Sequence, residues 1–545
     1  MAGLRWDNRF VDTLPVDPST EIRPRQVVGA LSSRVRPVNP SAPVLVADAR
    51  EVAEELGLAP ELWTDHRDLM ARVLTGDRLL PGMDPHAANY GGHQFGNWAG
   101  QLGDGRAIAL GELVTPDGGR QTLQLKGAGP TPYSRGADGF AVLRSSVREF
   151  LCSEAMHHLG VPTTRALSLA VTGDKVVRDM FYDGNPRPEP GAIVCRVAPS
   201  FIRFGSFQLP ASRQDDGLLA ALADFTIEEY FADIAAEHQE GTPDRYAAFF
   251  AEVARTTLAM VLGWMRVGFV HGVMNTDNLS IHGLTIDYGP YGWLEGFDPG
   301  WTPNTTDATH RRYRYGQQPQ VAHWNLLQLA NALVPLVDAT EPLQEAIEGY
   351  GADLQRDERQ VWRDKVGLDR VDDTAAADEL IGELFQLLVR TETDMTIFFR
   401  SLADVVRRDD GVEADGAGSG DTIDDATALV APLADAYYDD AGAAEVMAAT
   451  AEWLRRHRAL AATDGRNGSE RAAAMDRVNP RYVLRNYLAQ VAIDAAEGDD
   501  FAEVERLLDV LRRPYDDQPG NERYAAKRPE WARERPGCSQ LSCSS

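Results

Sequence analysis

The alternation of apolar and polar residues divides the chain into a β-rich first part and a helical second part. Ala107–Val114 and Gln121–Lys126 are short apolar runs on either side of Pro116-Asp-Gly-Gly119, and this pattern predicts a β-hairpin. Two more strands are predicted at Ala166–Val171 and Ala192–Ala198. The first part of the chain is therefore expected to contain a sheet.

Helical spacing dominates the rest of the chain. Apolar residues at helical intervals over Gly139–Leu159 predict an amphipathic helix after the hairpin. Other helices are predicted at 49–56, 61–74, 217–238, 244–267, 322–349, 376–406 and within 426–512. An acidic low-complexity segment, Asp409–Asp425, has the composition of a solvated loop. The pattern predicts an α+β protein with a β-rich N-terminal lobe and a larger helical C-terminal lobe.

Charge and composition narrow the class of protein. The 545 residues include 54 Lys and Arg against 82 Asp and Glu, a net charge of −28, so neither nucleic acid nor an anionic membrane is an expected partner. Four cysteines provide neither a disulfide framework nor paired zinc-binding arms, which indicates a reducing compartment. No signal peptide or apolar run of about 20 residues is found, so a cytoplasmic protein is predicted.

The segment Gln101-Leu-Gly-Asp-Gly-Arg106 is the first candidate for phosphate binding. Gly103 and Gly105 let backbone amides approach a phosphate, and Arg106 adds a fixed positive charge. A tight turn before a strand is the more common explanation when such a motif stands alone.

Lys126 ends the second hairpin strand, and Glu149 lies on the predicted helix that follows. Protein kinases use a strand lysine, held by a helix glutamate, to contact nucleotide phosphates. The alternative is a lysine that only adds surface charge and a glutamate on a solvated face, where Glu154 is equally available. The chain has only four lysines, which favours a specific role for Lys126.

Gly268–Gly289 is the strongest candidate segment. Two short strands, Leu279–Ile281 and Leu284–Ile286, predict a hairpin whose open end brings Asn278 and Asp287 together. An amide oxygen and a carboxylate form a hard oxygen site, which suits a magnesium ion that also binds nucleotide phosphates.

The catalytic-loop template of kinases aligns with His271–Asn278, and Asp287-Tyr-Gly289 stands where kinases have the metal motif Asp-Phe-Gly. Val273 occupies the place of the proton-accepting aspartate. Because valine cannot accept a proton, another base is needed, and Asp277 is the nearest carboxylate. The alternative role for Asp277 is a turn or helix N-cap before the hairpin.

Arg196 and Arg203 add two permanent positive charges near the predicted lobe junction. One guanidinium group can donate two parallel hydrogen bonds to phosphate oxygens, so these residues could hold a triphosphate in a pose that differs from the kinase one. Pairing with nearby carboxylates is an equally strong alternative on so acidic a chain.

Several motifs together resemble the selenoprotein O (SelO) family. They are Tyr90-Gly-Gly-His-Gln-Phe-Gly96, Gln101–Ala107, Leu125–Arg135, Asp138-Gly139, His271-Gly272, Asn275–Asn278, Asp287–Pro290 and Asn479–Asn486. The similarity extends over nearly the whole chain. Cys543 stands third from the end, where some relatives carry selenocysteine.

The resemblance implies a two-lobed, protein-kinase-like fold: a pseudokinase that lacks the usual catalytic aspartate and binds ATP in a reversed orientation. AMP is then transferred to Ser, Thr or Tyr hydroxyls of target proteins and pyrophosphate is released; some relatives are also described as transferring UMP from UTP. The implied organisation is an extension packing on the N-lobe (1–80), a nucleotide-binding N-lobe (81–212), a helical C-lobe (213–530) and a flexible tail (531–545).

The resemblance also assigns roles to single residues. Asp277 is the proton acceptor, Asn278 and Asp287 hold Mg²⁺ or Mn²⁺, and Glu149 holds Lys126. The implied nucleotide contacts are Gly103, Gly105, Arg106, Lys126, Asp138, Gly139, Arg196, Arg203 and Asp287. A monomer is expected. Free thiols are favoured because residues 287–316 contain no cysteine to pair with the tail, and the alternative is a disulfide between Cys543 and Cys152, Cys195 or Cys538.

Two rival functions stay open on the sequence. One is an ordinary kinase that transfers the γ-phosphate of ATP, and the other is a catalytically inactive regulator that only binds ATP.

Overall fold

The computed structural model of the protein describes residues 4–180, 183–408 and 423–542, the last range without the side chains of residues 423–425. Its strands are β1 Val16–Asp17, β2 Ser32–Arg34, β3 Val44–Asp48, β4 His86–Ala88, β5 Gly91–Gln94, β6 Asn97–Gln101, β7 Ala107–Val114, β8 Arg120–Lys126, β9 Arg165–Arg178, β10 Arg187–Ala198, β11 Phe269–Val270 and β12 Gly292–Trp293. The predicted acidic loop at 409–425 lies outside the described residues, apart from the backbone of 423–425. Cys543 lies outside them as well.

The helices follow one another mainly in the second part of the chain. They are α1 Arg9–Thr13, α2 Arg50–Glu55, α3 Glu61–Thr64, α4 Arg67–Leu74, α5 Leu143–His158, α6 Phe204–Ser212, α7 Asp216–Tyr230, α8 Ala232–Glu237, α9 Pro243–Val267, α10 Gln318–Leu333, α11 Glu341–Val366, α12 Thr374–Leu388, α13 Met395–Arg408, α14 Ile423–Val430, α15 Asp440–Ala461, α16 Gly468–Asp476, α17 Asn486–Glu497 and α18 Ala502–Leu511. The protein is therefore of mixed α/β structure, with a sheet region and many helices.

An eight-stranded sheet contains most of the strands, in the order β1-β2-β4-β7-β8-β10-β9-β3. Neighbouring strands are antiparallel except for the parallel pair β1–β2. The predicted hairpin is present as β7–β8, with Ala107 opposite Lys126. β9 and β10 extend beyond the predicted strands, because the pairing continues from Val197–Arg165 to Arg187–Arg178.

Helix α5 differs from its prediction in an informative way. It begins at Leu143 rather than Gly139, and its polar side is as buried as its apolar side. The buried polar residues have partners inside the protein: Glu154 pairs with Arg165 at 2.8 Å, and Arg144 pairs with Glu189 at 2.6 Å. The helix is held between the sheet and helices α17 and α18, so its polar side forms an internal network.

Four predicted helical stretches are each interrupted, and those at 61–74 and 217–238 are divided into α3 and α4 and into α7 and α8. The stretch predicted at 322–349 consists of α10 and the start of α11, separated by a segment that contains Pro335. Pro342 lies in the first turn of α11, where a proline starts a helix but cannot continue one. The stretch predicted at 376–406 is likewise divided into α12 and α13.

Helix α9 is the one helix in the described part of the chain with the length and apolar composition of a membrane span. Of its most apolar 18-residue window, 61% is buried inside the protein. It contributes Phe250, Val261 and Trp264 to the main hydrophobic core, which also includes α5, α10 and α17. Burial of this kind is typical of a core helix.

The segment before the C-terminus packs against the residues that follow Asp287-Tyr-Gly289. The Leu541 amide donates to the Pro303 carbonyl at 2.9 Å, and the Thr305 amide donates to the Leu541 carbonyl at 2.8 Å. The described part of the predicted flexible tail is therefore docked on the protein. Cys538 in this segment is a buried free thiol, as are Cys152 and Cys195.

Glu295 should make the protein less stable as the pH rises. Burial raises its pKa from 4.5 to about 7, despite the nearby Arg485 and Arg528. Between these two values the folded state binds more protons than the unfolded state, so the free energy of unfolding falls with increasing pH. We expect Glu295→Gln to be about 2 kcal/mol more stable than wild type at pH 8 and equally stable at pH 4.

Thermal unfolding of both proteins at the two pH values measures this difference. Glu530→Gln, a change at an exposed carboxylate, is the control and should leave the pH profile unchanged. An unchanged profile in Glu295→Gln would show that the Glu295 carboxyl does not titrate in this way.

Candidate nucleotide and catalytic site

Asp287 lies at the centre of a cluster of charged side chains between the sheet and the helices. Its carboxylate is 2.6 Å from a guanidinium nitrogen of Arg196, 2.5 Å from one of Arg203 and 3.5 Å from Lys126 Nζ. Burial alone would raise the pKa of Asp287, but Arg203, Arg196 and Lys126 together hold it well below its usual value. Three of the predicted phosphate-binding cations therefore meet at one of the predicted metal ligands.

Lys126 and Glu149 form an ion pair, with Nζ 2.8 Å from Oε2. The other carboxylate oxygen of Glu149 is 3.1 Å from Arg196. Burial lowers the pKa of Lys126, and the charges of Glu149 and Asp287 oppose this effect. Glu154 pairs with Arg165 instead, so Glu149 is the carboxylate that fixes the strand lysine.

Arg203 connects three parts of the site. One of its nitrogens donates to the Asp277 carbonyl at 2.8 Å and also contacts the Asp287 carboxylate. Its guanidinium lies 4.4 Å from the centre of the Tyr90 ring, and the Tyr90 hydroxyl donates to Asp104 Oδ1 at 3.1 Å. Asp104 Oδ1 is itself 3.9 Å from Arg203, so the tyrosine and the aspartate hold the arginine between them.

Asp277 is buried beneath the hairpin β5–β6 and is only 8% exposed. Its Oδ2 accepts a hydrogen bond from Gln94 Nε2 at 3.2 Å, whereas its buried Oδ1 has no hydrogen-bond partner among the described residues. A Cβ at position 92 would lie 2.7 Å from Oδ1, so only the glycine present there, Gly92, lets the carboxylate fit under the hairpin. Burial raises the pKa of Asp277 to about 6, and the Gln94 hydrogen bond partly offsets this rise.

The predicted hairpin around His282-Gly283 is less regular than expected. It has one antiparallel bridge, Leu279 to Thr285, instead of two strands. Asn278 donates through Nδ2 to the Val273 carbonyl at 2.9 Å, and this bond does not involve its amide oxygen. Asp287 has a φ of 56°, a strained conformation that a non-glycine residue keeps only where the surroundings impose it.

The two glycines predicted to bind phosphate, Gly103 and Gly105, pack closely against Tyr133. A Cβ at Gly103 would overlap the Tyr133 side chain, and one at Gly105 would lie 2.9 Å from the Tyr133 carbonyl. Arg106 has no carboxylate oxygen within 4.0 Å among the described residues. Its positive charge is therefore not neutralised by a close partner.

Asp138 and Gly139 lie in the turn that precedes α5. Asp138 pairs with Arg178 at 2.6 Å and accepts a hydrogen bond from the Phe140 amide at 3.0 Å. A Cβ at Gly139 would overlap the backbone of Gly129, so the turn is closely packed. No contact in the described residues joins Asp138 to the cluster around Asp287.

Four residues support the site in roles that the sequence did not predict: Tyr90, Gln94, Asp104 and Gln124. Gln124 donates to Asp104 Oδ2 at 3.2 Å and accepts from Arg196. Each of them acts through another residue and lies in or beside a strand. The motifs Tyr90–Gly96 and Gln101–Ala107 contain the first three, and Gln124 is a polar residue between two leucines of a buried strand.

Gln94 is expected to act as a positioning residue for Asp277. Because its hydrogen bond favours the ionised carboxylate, Gln94→Leu should raise the pKa of Asp277 and move the acid limb of the transfer rate to higher pH. We expect a loss of about tenfold near pH 6 and nearly none near pH 8. Rates measured across this range with saturating nucleotide provide the readout.

Asn97→Ala is the matched control, because Asn97 lies at the tip of the same hairpin and its side chain bonds only the Phe95 carbonyl within the described part of the chain. A loss of rate in Gln94→Leu that is equal at all pH values would contradict the positioning role.

Comparisons with known proteins identify the enzyme class. The model of the family described as "Protein adenylyltransferase SelO" matches residues 23–512. The chain is 58% identical over 547 residues to "Protein nucleotidyltransferase YdiU" of Rhodopirellula baltica, with 99% of each chain covered. It is 57% identical over 550 residues to the protein of that name from Azoarcus sp., and 55% identical over 545 residues to the one from Xanthomonas campestris pv. campestris, with both chains of each pair fully covered.

These matches confirm the predicted enzyme class, a transferase that moves a nucleotide to protein. With a family model that matches most of its length and relatives that match all of it, the chain belongs to the SelO family of protein adenylyltransferases.

Proposed function

We propose that the protein transfers AMP from ATP to Ser, Thr or Tyr hydroxyls, with Asp277 as the base and the cluster around Asp287 as the phosphate site. The observation that carries the proposal is the buried, unpartnered Oδ1 of Asp277. Arg203 bonds both the Asp277 backbone and the Asp287 carboxylate, so this oxygen lies beside the cationic cluster. A buried acceptor without a donor is costly in a finished structure and is explained by a donor that arrives with a substrate.

Electrostatics favour a metal-bound triphosphate at this cluster. Lys126, Arg196 and Arg203 face three carboxylates, those of Glu149, Asp287 and Asp104. The bare cluster is thus close to neutral, and a divalent cation would give it the positive charge that a triphosphate requires. Arg106 adds another cation at the glycine turn.

The donor set fits magnesium. The carboxylate of Asp287 and the amide oxygen of Asn278 are hard oxygen ligands, and the Val273 hydrogen bond already orients the amide. These two residues would hold the ion, which neutralises charge on the nucleotide phosphates when bound. Manganese has the same oxygen preference and is the alternative ion.

The reaction then follows from the positions of the side chains. The acceptor hydroxyl gives its proton to Asp277 while its oxygen attacks the α-phosphorus of ATP. A new P–O bond forms to the acceptor, the bond between the α-phosphorus and the bridging oxygen breaks, and pyrophosphate leaves with the electron pair. Arg196 and Arg203 are preorganised by buried partners, so they can stabilise the charge that develops on the phosphates.

The arrangement of elements supports a kinase-like, two-lobed organisation with the site between the lobes. The eight-stranded sheet uses residues 16–198, and the helices α6–α18 follow from residue 204. Residues from both parts meet at the cluster, since Lys126 and Arg196 lie on β8 and β10 whereas Asp287 follows α9. We further propose that the enzyme acts as a monomer in the cytoplasm.

Peptides that differ in one residue test the acceptor chemistry. Four peptides with Ser, Thr, Tyr or Ala at a single position are incubated with the enzyme, ATP and Mg²⁺, and their masses are measured. We expect the mass of AMP to be added to the hydroxyl-bearing peptides and the Ala peptide to stay unmodified. Addition to the Ala peptide, or addition of phosphate alone, would contradict the proposal.

A further inference from the structure

A basic surface lies beside the catalytic loop of this otherwise acidic protein. Arg311, Arg312 and Arg314 lie within four consecutive positions, next to His310, and we refer to these three arginines as the arginine surface. None of them has a carboxylate oxygen within 4.0 Å among the described residues, although acidic residues exceed basic ones by 28 over the whole chain. None of the three therefore has a close ion-pair partner, and only the Asp307 carboxylate interacts with Arg312 at longer range among the described residues.

The contacts of the arginine surface show why it stays unpaired. Asp307, the carboxylate closest in sequence, accepts from the backbone amides of Arg312 at 2.9 Å and Tyr313 at 2.7 Å. Arg311 reaches only the Gly300 carbonyl, at 3.4 Å, and Arg314 bonds Gln317 and the Arg311 carbonyl. Arg312 Nε is buried and has no partner in the described residues.

The arginine surface is connected to the base Asp277 through the hairpin β5–β6. The Arg312 guanidinium lies 4.6 Å from the Trp324 ring centre and packs against Gly96 at the hairpin tip. Gln94 in the same hairpin holds the Asp277 carboxylate. On the other side, the Tyr313 hydroxyl donates to Asn275 Oδ1 at 2.6 Å, two residues before the base.

Aromatic side chains extend the arginine surface. His93 packs against Trp98 with ring centres 5.0 Å apart and against Trp324 at 5.5 Å. Trp98 is 40% exposed, so an apolar ring that is connected to Arg312 through His93 and Trp324 faces solvent. A surface with cations and exposed aromatic rings is typical of peptide and protein recognition.

The nucleotide is not the expected occupant. The cations assigned to its phosphates, Lys126, Arg196 and Arg203, are buried around Asp287, whereas Arg311 is exposed to solvent. A molecule that binds the arginine surface must be negatively charged and come from outside. The acceptor protein also has to bring its hydroxyl to Asp277, and the hairpin β5–β6 and Asn275 connect that residue to this surface.

We infer that the arginine surface docks an acidic segment of the acceptor protein that flanks the modified hydroxyl. This inference rests on the proposed function, because it names the class of acceptor protein that the proposed AMP transfer would modify. A net charge of −28 repels acidic proteins over most of the enzyme's surface. A local basic surface next to the base then orients an acidic segment and favours its approach.

Direct peptide binding tests the inference without relying on transfer. Two fluorescent peptides share a central serine; one has Glu at the four flanking positions and the other has Gln. We expect the wild-type enzyme to bind the Glu peptide about tenfold more tightly at low salt, with the preference falling as salt increases. The double variant Arg311→Glu, Arg314→Glu should lose the preference.

Arg370→Glu is the matched control, because Arg370 is an exposed arginine 3.8 Å from Asp369, in the turn after α11. It should keep the full preference. The single variant Arg311→Gln guards against misfolding of the double variant, since this exposed side chain makes only one long contact, and it should reduce the preference about threefold. Equal binding of the two peptides by wild type, or an equal loss in Arg370→Glu, would overturn the inference.

Two further readouts separate the possible outcomes. Pyrophosphate added as a competitor should displace nucleotide but not the Glu peptide; displacement of the Glu peptide would show that the arginines bind phosphate and overturn the inference. AMP transfer to both peptides is measured in parallel. If AMP is transferred equally to both peptides, the docking inference is wrong and the proposed function stands. If the Glu peptide binds more tightly but neither peptide is modified, docking is supported and the proposed function is wrong.

Discussion

Replacing Asp277 with asparagine should slow AMP transfer by about a hundredfold to ten-thousandfold and leave ATP affinity within about threefold of wild type. Asparagine keeps the shape of the side chain and can still accept the Gln94 hydrogen bond, but it cannot take a proton. The cations assigned to the phosphates lie on other elements, so nucleotide binding should persist. Pyrophosphate release measures the rate, and calorimetry measures the affinity.

Asp338→Asn controls for the loss of one carboxylate, because Asp338 is exposed and lies after α10, outside the site. It should retain the wild-type rate. A wild-type rate in Asp277→Asn would exclude Asp277 as the base. A loss of ATP affinity as large as the loss of rate would show that Asp277 holds the nucleotide rather than the acceptor proton.

Replacing Asp287 with asparagine should reduce transfer by about a thousandfold or more and destabilise the nucleotide-free protein by about 3–5 kcal/mol. The variant loses the carboxylate that faces Arg196, Arg203 and Lys126, which leaves buried positive charges without a partner. It also loses the predicted metal ligand. We expect Mg²⁺ to increase the stabilisation that ATP provides to the wild type in thermal unfolding, and this increase should be absent in the variant.

Asp464→Asn is the matched control for stability, because Asp464 is a buried carboxylate that pairs with Arg466 and Arg471. These three residues are far from Asp287 in the sequence. It should destabilise the protein without changing the effect of Mg²⁺ on ATP binding. If Mg²⁺ still increases the stabilisation by ATP in Asp287→Asn, the metal binds elsewhere.

The secondary structure near the site was largely predictable because its signals are local. The apolar runs Ala107–Val114 and Gln121–Lys126 and the turn at Pro116–Gly119 between them specify the hairpin β7–β8 by themselves. Helix α5 was predicted as a helix but not as a fully buried one. Its polar residues are paired with partners such as Arg165 and Glu189, and periodicity cannot distinguish a polar side that faces water from one that faces such partners.

The individual groups of the site were predictable from residue type and spacing, but their connections were not. Lys126, Glu149 and Asp287 could be assigned to phosphates and metal from kinase-like spacing. The bond between Gln94 and Asp277 joins residues 183 positions apart, and Arg203 reaches Asp287 across 84. Such pairs depend on how the sheet and the catalytic loop pack together, and no local pattern in the sequence records that packing.

ATP labelled on either the α- or the γ-phosphorus distinguishes the proposed chemistry from its rivals in one measurement. Wild-type enzyme is incubated with the Ser, Thr and Tyr peptides, Mg²⁺ and one labelled form at a time, and Asp277→Asn is run beside it. We expect the α label to enter the peptides with wild type and to be nearly absent with the variant, while the γ label leaves as pyrophosphate. Entry of the γ label, or equal entry of the α label with both proteins, would contradict AMP transfer by this site.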